Sequence, residues 1–68
     1  LFLPKLERLA PATQTTAIHM YLKKNGIVDI SGDVLDRCRS LINDRSIAKV
    51  NLPGGKYFRR RAKRLFID

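Results

Sequence analysis

Apolar side chains recur at helical spacing through the first two-thirds of the chain and then alternate. Leu3, Leu6, Leu9 and Ala10 predict a short helix over about residues 3–10, with Pro4 in its first turn, where a missing N–H costs nothing. Pro11 ends or redirects it, because the residue before a proline avoids the α region. Ala17, Ile18, Tyr21 and Leu22 form the stripe of a second helix over about 12–25, with Gln14, Lys23 and Lys24 off that stripe. Thr13 or the Ala10-Pro11 turn starts it. Asn25-Gly26 stops it, since glycine takes the left-handed position after a helix without a Cβ penalty. After the short apolar connector 27–30, Ser31 reads as an N-cap and Asp33 suits the first turn of a third helix, over about 32–43. Its stripe is Val34, Leu35, Cys38, Leu41 and Ile42.

From about residue 47 the period falls from 3.6 to 2. Ala48, Val50 and Leu52 alternate with Lys49 and Asn51, which predicts a strand over 47–52. Pro53-Gly54-Gly55 is a turn signal. Residues 56–61 and 64–67 read as two more strands around a tight bend at Ala62-Lys63. Leu65 and Ile67 share one face of the last strand, and Phe66 takes the other. The expected class is α+β: three short helices followed by a three-stranded antiparallel β-meander, forming one small domain over 1–68.

Charge adds what periodicity cannot. The 68 residues carry a net charge of +8, from 14 Lys and Arg against 6 Asp and Glu. Residues 1–44 hold six basic and five acidic side chains; residues 45–68 hold eight basic ones and only Asp68. Such asymmetry points to a polyanionic partner for the C-terminal part, with nucleic acid leading and an anionic membrane surface as the rival. The basic residues lie on a strand pattern rather than along one face of an amphipathic helix, which disfavours the membrane. No apolar run approaches the roughly 18 residues of a membrane span. A single cysteine, Cys38, precludes an internal disulfide and fits a reducing, cytoplasmic setting. The chain opens on Leu1 rather than methionine, as a fragment of something longer would.

No catalytic constellation is visible, and no cofactor or metal set. His19 lies mid-helix without a carboxylate three or four residues away, and reads as a surface or boundary residue. Cys38 lies on an apolar stripe, unlike a nucleophile, which needs an electropositive and exposed setting. Asp33 and Asp36 share a face with Arg37 and read as solvated surface. A phosphate-binding Walker loop would need a longer glycine-rich turn followed by Lys and Ser/Thr opening a helix; here a strand pattern follows Gly55. The informative feature is the basic run from Lys56 to Arg64. With Phe58, Leu65 and Ile67 facing the helices, Arg59, Arg61, Lys49 and Tyr57 face outward. Arg60 then lies at the edge of the inner face or pairs with a helix carboxylate. Arginine offers a bidentate fork for phosphate, and tyrosine can stack on a base. The candidate nucleic-acid-binding residues are Lys49, Lys56, Tyr57, Arg59, Arg60, Arg61, Lys63 and Arg64. The bland alternative is a solvated sheet whose charges block aggregation.

Four stretches together carry a family likeness. They are Leu9-Ala10-Pro11-Ala12-Thr13-Gln14, Tyr21-Leu22-Lys23-Lys24-Asn25-Gly26, Leu52-Pro53-Gly54-Gly55-Lys56-Tyr57-Phe58-Arg59-Arg60, and Arg64-Leu65-Phe66-Ile67. In this order and spacing the chain resembles, over nearly its whole length, the substrate-binding domain that follows the catalytic domain in bacterial tRNA(Ile)-lysidine synthetase. It departs from the pattern at Thr15-Thr16-Ala17-Ile18-His19-Met20, where the family often has arginines, so an RNA contact by that helix does not carry over from the likeness.

The resemblance implies a parent ligase that uses ATP and Mg to adenylate the wobble cytidine of an isoleucine tRNA with a CAU anticodon. Lysine then displaces AMP to give lysidine. The family's catalysis resides in an N-terminal PP-loop domain with a Ser-Gly-Gly-x-Asp-Ser phosphate loop, absent here. The expected role is tRNA binding, without catalysis by these residues alone. The rival is a winged-helix DNA-binding domain, with the third helix as reader. Asp33, Asp36 and Asp44 outnumber Arg37 and Arg39 there, so that helix would carry net negative charge toward phosphates.

Overall fold

The computed structural model describes residues 1–68. Helices α1 (Leu3–Glu7), α2 (Pro11–Lys24) and α3 (Gly32–Asn43) precede strands β1 (Lys49–Asn51), β2 (Tyr57–Arg61) and β3 (Arg64–Ile67). The strands form one antiparallel sheet in the order β1-β2-β3, so the molecule is the α+β arrangement expected.

Helix α1 stops at Glu7, short of Ala10, for a local reason. Ala10 is extended (φ −63°, ψ 153°), as a residue before proline must be, and Pro11 opens α2. The intervening turn is closed by Leu9 N–H donating to the Leu6 carbonyl at 3.0 Å. The same carbonyl accepts from Gln14 Nε2 at 2.9 Å. Gln14 is only 5% exposed, so its expected place off the apolar stripe is wrong. It lies one helical turn before Ile18 and two before Leu22, on the buried row, and its amide is satisfied by the end of α1.

The other helix ends follow their sequence signals. Past Asn25, Gly26 takes φ +80°. Gly26 N–H reaches the Lys23 carbonyl and Ile27 N–H the Leu22 carbonyl, the paired bonds of a Schellman motif. Ile27 and Leu22 are both buried, completing its apolar contact. Ser31 Oγ accepts from Val34 N–H at 3.2 Å and caps α3. At the far end of α3, Asp44 Oδ1 accepts from Ser46 N–H and Oγ, at 2.9 and 2.6 Å. These bonds hold the Asp44 carboxyl below its usual range.

The core joins α1 (Leu6), α2 (Ile18, Leu22), α3 (Cys38, Leu41, Ile42) and the inner sheet face (Val50, Phe58, Leu65), with Ile27 and Leu52 from loops. Tyr21 tilts against Phe58 with ring centroids 6.2 Å apart, tying α2 to the central strand. The N-terminal segment does something its sequence did not announce. Leu1 exchanges hydrogen bonds with the Leu65 backbone, both at 2.9 Å, and Leu3 N–H donates to the Lys63 carbonyl at 2.8 Å, so the segment covers the outer edge of β3. Ala62 turns the β2-β3 bend with φ +55°, a conformation that strains a residue bearing a Cβ.

Cys38 is fully buried, and desolvation pushes its thiol up from about 9.0 to about 11, against a weaker opposite pull from Arg37. In the unfolded chain the thiol ionises first, so its contribution to stability is complete below pH 9 and lost as pH rises through 11. Iodoacetamide at pH 8 should therefore leave the native chain unmodified and alkylate it in denaturant. Rapid labelling of the native chain would show that the site is open.

Candidate nucleic-acid interface

Residues directly opposite on antiparallel strands share a face, so the register fixes which side chains stand together. Val50, Phe58 and Ile67 make one inward row, and Arg60 with Leu65 the next. Outward, Lys49, Arg59 and Phe66 form a row, and Arg61 stands opposite Arg64. Asn51 faces Tyr57, whose backbone exchanges hydrogen bonds with Asp68 at 3.0 and 2.8 Å, so Asp68 completes a third outward row.

Seven of the eight candidate residues are solvent-exposed: Lys49, Lys56, Tyr57, Arg59, Arg61, Lys63 and Arg64. Lys49, Tyr57, Arg59, Arg61 and Arg64 share the outward sheet face. Lys56 sits at the β1-β2 turn and Lys63 in the β2-β3 bend, at the two ends of the hairpins. Arg60 differs. Its side chain turns inward and its guanidinium donates to three carbonyls at the end of α3. Nη1 reaches Leu41 and, at 3.1 Å, Asp44; Nη2 reaches Arg45 at 2.7 Å. The expected pairing with a helix carboxylate is therefore replaced by capping of carbonyls that a helix C-terminus leaves without intrahelical donors. The alternation of the strand put Arg60 inward; which acceptors lay there depended on where α3 ended.

Two features of the outward face bear on chemistry. It places like charges directly opposite each other twice, Lys49 with Arg59 and Arg61 with Arg64. Such pairs destabilise a sheet unless something between them is negative. The only carboxylate among them is Asp68, whose Oδ2 lies 2.6 Å from Arg59 Nη1. Arg61 has neither an ion pair nor a hydrogen bond, and Arg64 rests 5.5 Å from the Phe2 ring centroid. A depression of about 360 Å³ is lined by Ala48, Arg59, Arg60, Arg61, Phe66 and Asp68. Asp68 was overlooked in the sequence; the signal was its parity with Phe66 on the last strand.

The helices offer no such surface. On α3 the Arg37 guanidinium is held by Asp33 one turn back, and both are solvated. No group of three or more His, Cys, Asp or Glu side chains converges anywhere. No helix is long and apolar enough to cross a membrane.

The model of one protein family, described as the TilS substrate binding domain, matches residues 1–66. The chain belongs to this family. It is thus a substrate-binding domain of the tRNA(Ile)-lysidine synthetase type, and its role is substrate binding in tRNA modification. No curated protein and no solved structure matches it. Within the TilS frame, the basic side chains cluster on the sheet, and the mid-part of α2, from Thr15 to Met20, carries no arginine. The third helix of this TilS domain carries two aspartates against two arginines, one of them held by Asp33, so it brings no positive charge to a phosphate-lined groove, and nothing favours the winged-helix alternative.

Proposed function

We propose that the outward sheet face is the tRNA-contacting surface of this domain. Arg59, Arg61, Arg64 and Lys49 take backbone phosphates, and Lys56 and Lys63 extend the positive track at the hairpin ends. The observation that carries this reading is the cross-strand register that sets Lys49 opposite Arg59 and Arg61 opposite Arg64 on one exposed face whose one carboxylate is Asp68, an unfavourable arrangement that a bound polyanion relieves. Arg60, already bonded to three carbonyls, serves the scaffold beneath that surface.

The bound tRNA is an isoleucine tRNA with a CAU anticodon. The domain holds it for a PP-loop catalytic domain of the same parent chain, which performs the ATP- and Mg-dependent ligation in the cytoplasm. The residues present here do not fit ATP: Gly54 and Gly55 turn between two strands and no helix follows them to aim its N–H groups at phosphates. These residues bind and orient; they carry no chemical step.

The test is a titration of tRNA against duplex DNA of equal charge at several salt concentrations. The expected result is tighter binding of tRNA, falling steeply with salt, because its folded shape is recognised along with its phosphates. Equal affinity for the two polymers would sink the reading.

A further inference from the structure

We infer that the outward face holds an unpaired nucleotide of the RNA, its base stacked on Tyr57 and its phosphate between Lys49 and Arg59. This inference rests on the tRNA-contact reading and adds which kind of RNA segment the face accepts. Tyr57 stands at the centre of an outward row, 37% exposed, which is unusual for a large aromatic on a central strand. What meets it is the Lys49 ammonium, 4.6 Å from the ring centroid. That ammonium is a mobile charge on a flexible stem, and it can leave the ring for a phosphate while a base takes its place.

The row around the ring has the groups a base edge needs. The Asn51 amide, with no hydrogen-bond partner of its own, lies directly opposite on β1, and Asp68, just past the end of β3, pairs with the Tyr57 backbone from the other side. An amide can both donate and accept, and a carboxylate accepts from an exocyclic amino group. Arg59 is the next outward residue along β2, within reach of the phosphate attached to the same nucleotide. Asp68 holds that guanidinium in position, at 2.6 Å. A base inside an A-form helix has its faces covered by its neighbours and its pairing edge already used. Only an unstacked nucleotide can use the ring and its flanking polar groups together.

The experiment titrates the chain with a short single-stranded RNA of mixed sequence and with a blunt-ended, fully paired RNA duplex of the same number of phosphates. Tyr57 ring resonances are followed by NMR alongside affinity. The single strand should bind more tightly and shift the Tyr57 ring, while Tyr21, half-buried against Phe58, stays unmoved. Tyr57→Ala should weaken single-strand binding roughly tenfold or more and duplex binding by much less, and Tyr57→Phe should retain single-strand binding. Equal affinity for both RNAs with no movement of the Tyr57 ring overturns the inference and leaves the phosphate-contact reading standing. Failure to bind either RNA, or tRNA, overturns both. Because the ring shifts are read in the unaltered chain, the outcome does not depend on any variant folding.

Discussion

Arg60→Ala is expected to lower the melting temperature by roughly 10 °C or more, far beyond any other single change among the basic residues. The guanidinium satisfies three carbonyls at the end of α3, two through Nη1 and one through Nη2. Hydrogen bonds from a charged donor contribute about 1.5–3 kcal/mol, and a half-buried carbonyl left unpaired adds its own desolvation cost. A loss of about 2 kcal/mol corresponds to roughly 8–16 °C in a domain of this size. It is also a large share of a total stability on the order of 3–10 kcal/mol for so short a chain. Arg60→Lys should recover only part of the loss, because a single ammonium nitrogen lacks the planar fork by which Nη1 and Nη2 reach separate carbonyls. Thermal unfolding followed by circular dichroism is the measurement. A melting point for Arg60→Ala within a degree or two of the parent would mean that these carbonyls find water instead, and that Arg60 is free to join the RNA face.

The double change Arg61→Ala with Arg64→Ala should move affinity and stability in opposite directions. These two cations stand directly opposite each other without a carboxylate between them. Removing both relieves a repulsion of some tenths of a kcal/mol, so the domain should melt at the same temperature or slightly higher. If both hold phosphates, tRNA affinity should fall by about tenfold or more at low salt. The slope of log affinity against log salt should lose roughly 1.4–1.8, since each phosphate contact contributes about 0.7–0.9. A purely solvated pair predicts the stability gain without the change in slope. Unchanged salt dependence would therefore exclude Arg61 and Arg64 from the contact surface, and an unfolded variant would show that they are structural.

The contrast between these results separates arginines that are neighbours in the chain. Arg59, Arg60 and Arg61 look identical in composition and form one basic run. Strand alternation predicts that the middle one turns away from the other two, and the structure has that arrangement. What Arg60 meets on the inside could not be read locally. Its acceptors come from Leu41, Asp44 and Arg45, which the fold brings back over β2 through 15 to 19 residues of intervening chain. Gln14 shows the same limit from the other side. Its polar amide marked it as surface, yet its position in the 14-18-22 row and the nearby end of α1 made it a buried tie. Hydrophobicity ranks a residue by its own side chain; burial depends also on whether a partner waits for its polar atoms.

By itself the sequence determined the order of elements, the Schellman and serine caps, the apolar rows of α2 and α3, and the concentration of positive charge after residue 44. Those features rest on contacts within a few residues, where spacing alone places one side chain beside another. Only the tertiary structure decided the cross-strand partners. It set Lys49 against Arg59 and Arg61 against Arg64, brought Asp68 beside Tyr57 and Arg59, and laid the N-terminal segment along β3. Register is a long-range property: one residue of slip would carry every outward side chain to the core face, and packing of Val50, Phe58 and Leu65 on the helices forbids it. The basic run therefore became an interface through the same packing that holds the domain together.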